Sequence, residues 1–218
     1  MSKPDPAPVP TVLLIDDHAV VREGYRRLLE QDATLKVVGE AATSADALRK
    51  TDELQPDVIV LDIALPGVSG IETLRRILAR RPTARVLMFS MYQDRIFAER
   101  AFEAGALGYL SKASAPEHLI EAVRTVLTGR RYLSPDMQQA LTSESSPVSA
   151  GLSSLSGREL EILRLLTQGF GVGEIGERLG VSAKTVANHQ SSIRQKLGVS
   201  NALQLLLAAR QLGLSATE

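Results

Sequence analysis

The sequence predicts an α/β domain with a doubly wound parallel sheet, followed by a small all-helical domain. Short apolar runs alternate with helical periodicity as far as Gly129, and from Ser156 onward only helical periodicity occurs. Strands that alternate with helices favour right-handed crossovers and a parallel sheet of flavodoxin-like type. A length of 218 residues suits two domains that each have their own core.

The composition excludes several classes of protein. The chain contains no cysteine, which removes disulfides, thiolate nucleophiles and cysteine-based zinc sites. Its three histidines are scattered at positions 18, 118 and 189, so a histidine-built metal centre is not expected. Apolar runs stay far short of the roughly 18 residues that cross a bilayer, and 25 basic residues balance 25 acidic ones. We therefore expect a cytoplasmic protein that does not contact a membrane.

Changes in composition predict the domain boundaries. Residues 1–10 hold four prolines and are expected to be a disordered lead, and residues 11–129 carry the alternating strands and helices. Residues 130–152 are polar and rich in serine and proline, which predicts a linker that can include a short helix over 136–141. Residues 153–218 form the predicted helical domain.

Each element of the first domain has its own local signal. The predicted strands are short apolar runs, and they cover 11–15, 35–41, 58–61, 85–90 and 107–110. The helices between them show apolar residues at helical spacing. Ser44 is expected to cap the second helix, Pro82 follows the third, and Pro116 stands where the fifth should begin. The result is a five-stranded sheet with a helix after each strand.

The central strand places one carboxylate at the edge of this sheet. Residues 58–61 are four apolar residues without alternation, which is typical of a strand buried on both faces. Asp62 follows directly, and Pro66 and Gly67 then supply turn chemistry. Asp62 should therefore lie at the carboxyl end of a central strand, the edge where ligands bind in open α/β sheets.

Other polar residues end neighbouring strands at the same edge. Asp16 and Asp17 follow the first strand, Ser90 ends the fourth, and Lys112 lies just past the fifth. Taken singly, each could be a helix cap, a strand-end hydroxyl or a solvated charge. Together, carboxylates that converge in one cleft require a cation, and Mg²⁺ prefers oxygen ligands and completion by phosphate. The set indicates a carboxylate that accepts a phosphoryl group.

Four stretches of the first domain resemble the receiver domain of two-component response regulators. The resemblance covers roughly the first 130 residues and is carried by Ile15-Asp16-Asp17-His18, the Asp62-x-x-Leu65-Pro66-Gly67 turn, Ser90, and Gly108-Tyr109-Leu110-Ser111-Lys112. It implies that a sensor histidine kinase phosphorylates Asp62, and that Mg²⁺ is held by Asp16, Asp17, Asp62 and the backbone carbonyl of Ala64. It also implies that Lys112 contacts the phosphoryl group, and that Ser90 and Tyr109 form a switch pair that moves when phosphate arrives.

The second domain has the spacing of a helix-turn-helix. A short helix over 174–179 is followed by a turn with Gly180 and Ser182, and then by a longer helix over 183–197. Gly180 supplies the turn conformation and Ser182 is a good N-cap. Since the longer helix carries no acidic residue, it can enter a major groove without repelling phosphate, and its polar side chains can read base edges. A solvated helix face, the alternative interpretation, would normally mix charges.

This domain resembles the LuxR-type DNA-binding domain, and with the receiver it is similar to the NarL/FixJ class of response regulators. The resemblance is carried by Leu155-Ser156-Gly157-Arg158-Glu159-Leu160-Glu161-Ile162-Leu163, by Glu174-Ile175, by Leu179-Gly180-Val181-Ser182-x-Lys184-Thr185-Val186-x-Asn188-His189, and by Lys196-Leu197-Gly198-Val199. The implied DNA contacts are Lys184, Thr185, Asn188 and His189, with Arg194 and Lys196 as candidate phosphate partners.

A Gly-x-Gly-x-x-Gly stretch at 171–176 matches the pattern of a dinucleotide-binding loop. It follows a helical pattern rather than a strand, so the context that such a loop needs is missing. Its glycines favour a loose or late-starting helix instead.

The two resemblances together imply a transcriptional regulator. Phosphorylation of Asp62 would release the helical domain, which would then bind promoter DNA as a homodimer. The leucines of the last helix either form a dimer face or close the small core, and they are Leu203, Leu206, Leu207 and Leu212.

Two other functions fit part of the pattern. A Mg²⁺-dependent phosphatase with Asp62 as nucleophile would commonly carry Asp-x-Asp-x-Thr, whereas Ala64 and Pro66 stand at the later positions here. The chain is therefore predicted not to be an enzyme. A DNA-binding regulator that works without phosphorylation, with the receiver as an interaction module, would not need the complete acidic set.

Overall fold

The first domain is a parallel sheet with helices on both faces. The structure, a computed structural model, describes residues 8–93, 95–114, 116–142, 154–211 and 214. The strands lie in the order β2-β1-β3-β4-β5-β6, and they are β1 (Thr11–Ile15), β2 (Lys36–Ala41), β3 (Val58–Leu61), β4 (Val86–Ser90), β5 (Gly108–Ser111) and β6 (Tyr132–Leu133). The helices are α1 (Ala19–Glu30), α2 (Ser44–Leu54), α3 (Gly70–Arg80), α4 (Arg95–Glu103), α5 (Glu117–Leu127) and α6 (Pro135–Thr142).

Alternation along the central strands divides the apolar residues between two cores. Leu13 and Ile15 of β1 pack on the side of α2, α3 and α4, whereas Val12 and Leu14 pack on the side of α1 and α5. Because successive side chains of a strand point to opposite faces, each strand contributes to both cores. Each fully buried leucine or isoleucine stabilises the fold by about 2 kcal/mol. The predicted doubly wound α/β class is confirmed.

The predicted number of strands was wrong by one. Tyr132 and Leu133, at the start of the predicted linker, form β6 and pair in parallel with Gly108 and Tyr109 of β5. The N–H of Tyr132 donates to the carbonyl oxygen of Leu107 at 3.0 Å, and the tyrosine side chain is buried. Two residues are too few to show a period, so the sequence pattern did not reveal this strand. The rest of the predicted linker continues as α6, and residues 143–153 lie outside the described chain, as do residues 1–7 of the predicted lead.

The second helix is capped one residue earlier than predicted. Thr43, not Ser44, is the N-cap of α2, and its hydroxyl accepts a hydrogen bond from the N–H of Asp46 at 3.2 Å. Ser44 is the first helical residue, and its buried hydroxyl accepts instead from the hydroxyl of Thr73 at 2.8 Å. Two adjacent hydroxyl residues compete for the same cap, and the tertiary contact with α3 decides between them.

In the part of the second domain that the structure describes, four helices include a helix-turn-helix. They are α7 (Gly157–Thr167), α8 (Val172–Leu179), α9 (Ala183–Leu197) and α10 (Ala202–Gln211). Helix α7 begins with a capping box between Ser156 and Glu159. Gly180 ends α8 in the left-handed conformation, with φ of 61°, and the hydroxyl of Ser182 accepts from the N–H of Thr185 at 3.1 Å to begin α9. The predicted turn and its caps are therefore present.

The glycine-rich stretch lies at the start of α8. The helix begins at Val172, earlier than the predicted 174, because the carboxylate of Glu174 accepts from the N–H of Gly171 at 2.7 Å. A Cβ on Gly176 would lie 2.8 Å from the carbonyl oxygen of Val181, so close packing against the turn requires a glycine there. Helix α7 precedes this stretch, which places it outside any strand-to-helix turn. Across the residues that the structure covers, no helix is long and apolar enough to span a membrane.

Candidate phosphorylation site and DNA-binding surface

The carboxyl ends of β1 and β3 bring Asp16 and Asp62 side by side. Ile15 lies opposite Leu61 in the parallel register, and each aspartate is the next residue of its chain. The N–H of Asp62 donates to the carbonyl oxygen of Ile15 at 2.9 Å, which carries the ladder to the edge of the sheet. Both side chains are buried, with Asp16 5% and Asp62 3% exposed. The structure thus places two acids in one cleft, shielded from water.

Lys112, which follows β5, is the cation of this cleft. Its Nζ lies 2.6 Å from Oδ2 of Asp62 and also binds Oδ2 of Asp16. Burial opposes the charged form of Lys112, but the two carboxylates outweigh this effect and raise its pKa. Burial also raises the pKa of Asp62, with Lys112 opposing the shift and Asp16 adding to it. The lysine therefore neutralises charge at the oxygen atoms where a transferring phosphoryl group would sit.

Asp17 and His18 extend the cleft towards solvent. Oxygen and nitrogen atoms of Asp16, Asp17 and His18 lie within 4.8 Å of one another. Oδ1 of Asp17 lies 2.7 Å from Nδ1 of His18. The side chain of Asp17 is 24% exposed. The carboxylate of Asp17 therefore lies at the outer end of the cleft.

The loop after β3 folds back onto Asp62. The N–H of Ala64 donates to Oδ1 of Asp62 at 3.2 Å, and the N–H of Gly70 donates to the carbonyl oxygen of Ile63 at 2.7 Å. A Cβ on Gly70 would lie 1.9 Å from the carbonyl oxygen of Asp62, so only glycine allows α3 to begin this close to the strand. The loop is thereby held against the candidate acceptor.

Ser90 and Tyr109 contact the same loop residue, Tyr92. The hydroxyl of Ser90 accepts from the N–H of Tyr92 at 3.2 Å, and the hydroxyl of Tyr109 donates to the carbonyl oxygen of Tyr92 at 2.6 Å. Both Ser90 and Tyr109 are fully buried. The two predicted switch residues thus bind the N–H and the carbonyl oxygen of the same residue, and a movement of either one would move Tyr92.

The sequence analysis missed the part played by Tyr92. Its ring stacks on Phe97 with 4.4 Å between the centroids, and the guanidinium of Arg164, from α7 of the second domain, lies 4.8 Å from the ring centroid. Cation–π contacts of this kind contribute about 1 kcal/mol. An aromatic residue that follows a strand carries no periodic signal, so only its position two residues after Ser90 could have suggested this role.

The second domain contacts the receiver at the loop that carries Asp62. Nη2 of Arg158 donates to the carbonyl oxygens of Leu65, at 3.3 Å, and of Leu179, at 3.0 Å. The N–H of Gly67 also donates to the carbonyl oxygen of Leu179, at 3.1 Å. The same arginine therefore joins both domains at the candidate phosphorylation loop, a contact that the sequence analysis did not foresee.

Helix α9 presents most of the predicted DNA contacts. Lys184 and Asn188 are exposed, and Thr185, His189 and Arg194 are partly exposed. The residues Ala183–Leu197 include no acid, so phosphate can approach the helix without repulsion. The contact between the domains runs through α7 and the end of α8, and it leaves this face of α9 open.

Lys196 is held in an ion pair within the second domain. Its Nζ lies 2.6 Å from the carboxylate of Glu159, which also accepts from the hydroxyl of Ser192 at 2.6 Å. Burial alone would raise the pKa of Glu159, but the bonds from Lys196, Ser192 and Ser156 lower it to about 2. Glu159 therefore joins α9 to the start of α7 through an ion pair and a hydrogen bond.

The fold and these sites define a class of protein, in which a receiver with an acidic cleft is joined to a helix-turn-helix domain. Residues 12–124 match the response regulator receiver domain, and residues 153–216 match the bacterial regulatory proteins of the luxR family. The chain belongs to the response regulators of the NarL/FixJ class, and it is a phosphorylation-regulated transcription regulator.

Individual relatives extend over nearly the whole chain. The response regulator UvrY of Escherichia coli strain K12 is 37% identical over 210 residues, which is 95% of this chain and 96% of UvrY. RcsB of Salmonella enterica serovar Typhimurium, in a structure bound to promoter P1flhDC with the phosphomimetic BeF3−, is 29% identical with a TM-score of 0.64, and the match covers 96% of this chain and 100% of that one. RcsB in a second structure, of two dimers bound to two parallel DNAs, is 28% identical with a TM-score of 0.60. This match covers 93% of the present chain and 98% of the RcsB chain.

Proposed function

We propose that Asp62 accepts a phosphoryl group from a sensor histidine kinase, and that the phosphorylated protein binds promoter DNA as a homodimer. The observation that carries this proposal is the position of Asp62, buried at the end of β3 with the Nζ of Lys112 at 2.6 Å. A carboxylate beside a fixed cation at this edge of a parallel sheet suits phosphoryl transfer, because that reaction depends on positioning and on the neutralisation of oxygen charge.

In the proposed reaction, a carboxylate oxygen of Asp62 attacks the phosphorus of a phosphohistidine. The new O–P bond forms as the P–N bond breaks, and the electron pair of the broken bond stays on the imidazole nitrogen of the donor. Lys112 then contacts the phosphoryl oxygens in place of the free carboxylate. Ser90 and Tyr109 respond by moving Tyr92, which both of them contact.

The acids of the cleft fit a divalent cation. Carboxylate oxygens of Asp16 and Asp17 lie within 4.8 Å of each other, and hard carboxylate oxygens are what Mg²⁺ prefers. We propose that Asp16, Asp17, Asp62 and the backbone carbonyl of Ala64 hold Mg²⁺. Bound there, the ion would neutralise the acids and the incoming phosphoryl oxygens.

We propose that α9 enters the major groove of promoter DNA. Lys184, Thr185, Asn188 and His189 would contact bases and backbone near the start of the helix, with Arg194 and Lys196 on phosphates. Leu203 and Leu207 of α10 are 67% and 52% exposed, which supports a dimer contact at this helix. The structure of RcsB dimers bound to DNA supports a homodimer on DNA without indicating which surface pairs. Leu212 lies outside the described residues.

The domain boundaries at 11–129 and 153–218 and the cytoplasmic location remain predictions that rest on the sequence alone. The relatives are transcriptional regulators, and we expect this protein to accept phosphate stoichiometrically rather than to turn over outside substrates.

The test compares the wild-type protein with Asp62→Asn in the presence of Mg²⁺ and acetyl phosphate. Phosphate-affinity gels would measure modification, and fluorescence anisotropy would measure binding to a pool of genomic DNA fragments. We expect that only the wild type is modified and that its DNA affinity rises at least tenfold. If both proteins bind DNA equally with and without the donor, the receiver serves as an interaction module and the proposal fails.

A further inference from the structure

The segment that follows α5 is built into the receiver. Residues 12–124 match the receiver domain family, so β6 and α6 lie beyond that match. Tyr132 and Leu133 extend the sheet, and the side chain of Met137 in α6 is fully buried in the core on the side of α4. Because strand pairing and a buried side chain hold this segment in place, it is a rigid support for the polar residues that it carries.

Asp136 of α6 binds the loop that carries Lys112, residues 112–114. The hydroxyl of Ser114 donates to Oδ1 of Asp136 at 2.7 Å. On the other side of the lysine, the N–H of Ser111 donates to the hydroxyl oxygen of Ser134 at 3.4 Å, and Ser134 is fully buried directly before α6. The chain is thus joined to the segment after α5 both before and after Lys112.

The acceptor of the Ser114 hydroxyl is an ionised carboxylate. Burial alone would raise the pKa of Asp136, but hydrogen bonds from Ser134 and Ser114 lower it. A hydrogen bond to a carboxylate is shorter and roughly twice as strong as one between neutral groups. The bond between Ser114 and Asp136 is therefore a firm link between α6 and the loop after β5 at neutral pH.

Lys112 needs contacts of this kind because its own side chain cannot fix the loop during phosphoryl transfer. Its N–H donates to the carbonyl oxygen of Ser90 at 2.8 Å, where β4 and β5 end. Its Nζ binds the carboxylates of Asp62 and Asp16. The proposed phosphorylation changes Asp62 and gives Nζ new partners, the phosphoryl oxygens. Since a lysine side chain is long and flexible, the position of Nζ at that moment depends on how firmly the backbone is held.

We propose that Asp136 is a positioning residue for Lys112, because it holds the loop after β5 so that the lysine meets the phosphoryl group where negative charge develops. This inference rests on the proposed phosphorylation of Asp62. Asp136 acts through Ser114 and takes no part in the transfer itself. Because the interaction with Lys112 strengthens in the transition state, a displaced lysine lowers the maximal rate more than it weakens binding of the phosphodonor.

The first experiment measures the rate of phosphorylation of the full-length protein with Mg²⁺ and acetyl phosphate. Phosphate-affinity gels of samples stopped at successive times give the rate at each donor concentration. We expect Asp136→Ala and Ser114→Ala each to lower the maximal rate by about tenfold, with the half-saturating donor concentration unchanged. The double variant should be no slower than either single variant, since both substitutions remove the same bond.

The second experiment measures the accessibility of Lys112 without any phosphodonor. N-hydroxysuccinimidyl acetate labels exposed amines, and mass spectrometry of peptides follows each lysine. The side chain of Lys112 is 5% exposed, and that of Lys50, bound to Asp46 elsewhere in the receiver, is 27% exposed. We expect Asp136→Ala to raise the labelling rate of Lys112 by about threefold or more and to leave that of Lys50 unchanged, because only the loop is released.

The controls distinguish a positioning role from damage to the fold. Glu117→Ala removes an acid from the first turn of α5, at an exposed position, and should behave as the wild type. Asp136→Asn keeps an oxygen that accepts a hydrogen bond from Ser114 and should recover most of the maximal rate. Ser114→Ala, at a partly exposed position, replaces Asp136→Ala if circular dichroism shows that the latter is unfolded.

The outcomes distinguish this inference from the proposed function. If Asp136→Ala and the wild type are phosphorylated at the same maximal rate, the positioning role is wrong while phosphorylation of Asp62 stands. The role is also wrong if labelling of Lys112 and Lys50 rises together, since Asp136 would then only stabilise the receiver. If the gels show no modification that depends on Asp62, the proposed function fails, and the role of Asp136 in the reaction fails with it.

Discussion

Lys112 is the residue on which the electrostatics of the acidic cleft depend. It faces the buried carboxylates of Asp62 and Asp16, and its own side chain is 5% exposed. Removal of one partner from a buried ion pair is more damaging than the pair is stabilising, because it leaves uncompensated charge behind. The lysine therefore has a structural role in addition to its proposed role in phosphoryl transfer.

We predict that Lys112→Met lowers the free energy of unfolding at pH 7 by about 3 kcal/mol. The loss should shrink as pH falls, because the pKa of Asp62 is raised and its carboxyl group takes up a proton more readily, which removes the uncompensated charge. It should also shrink in millimolar Mg²⁺ if the acids bind the ion. Urea unfolding followed by circular dichroism measures this, with the exposed Lys36→Met as the control. Equal midpoints for the two variants would contradict the prediction.

At the level of elements, two glycines with nearly the same conformation end successive helices of the second domain. Gly180 ends α8 with φ of 61°, and Gly198 ends α9 with φ of 66°. A Cβ on Gly180 would meet Pro66 of the receiver at 2.9 Å, whereas a Cβ on Gly198 would meet no atom of the described residues within 4 Å. Substitutions at the two positions therefore distinguish the cost of a side chain in the left-handed conformation from the cost of disturbing the contact between the domains.

We predict that Gly180→Ala and Gly198→Ala each destabilise the helical domain by about 1 kcal/mol, because alanine is strained in the left-handed conformation. Only Gly180→Ala should also open the contact between the domains. Thermal unfolding measures the first effect, and energy transfer between dyes in the two domains measures the second. An equal change in energy transfer for both variants would show that the Gly180–Pro66 approach is unimportant.

At the level of the whole molecule, the closed contact and the DNA-binding surface use different parts of the second domain. The contact uses Arg158, Leu179 and Gly180, whereas Lys184 and Asn188 of α9 remain exposed. The exposed leucines of α10 are also free of the contact in the described structure. Release of the domain would thus change its position and allow it to pair with a second copy. It would not uncover the face of α9, which is already exposed.

We predict that Leu203→Asp weakens binding of the phosphorylated protein to DNA by about tenfold or more, because a leucine buried between two copies contributes about 1.5–3 kcal/mol. The stability of the monomer should not change, since this side chain is 67% exposed. Anisotropy with promoter DNA and sedimentation of the complex would measure affinity and stoichiometry. Val9→Asp, at another exposed apolar position, is the control. Unchanged affinity would place the dimer contact elsewhere.

The sequence by itself determined the α/β class, the acids at the strand ends and the helix-turn-helix. These features depend on local signals: buried runs such as 58–61, turn chemistry after Asp62, and caps such as Ser182. The position of a residue at the end of a parallel strand is enough to place it at the ligand-binding edge, which is why Asp16, Asp62 and Lys112 were brought together correctly.

Only the tertiary structure decided how the two domains meet. Arg158 donates to the carbonyl oxygen of Leu65 across 93 residues of sequence, and no periodicity or turn signal encodes such a pairing. Glu161 belongs to a helix of charged and apolar residues, and its burial follows from the receiver surface that packs against it. Tyr92 gained its role in the same way, from Ser90, Tyr109 and Arg164. Local chemistry set the elements and their sites, whereas the coupling between them depends on long-range packing that exists only in the folded chain.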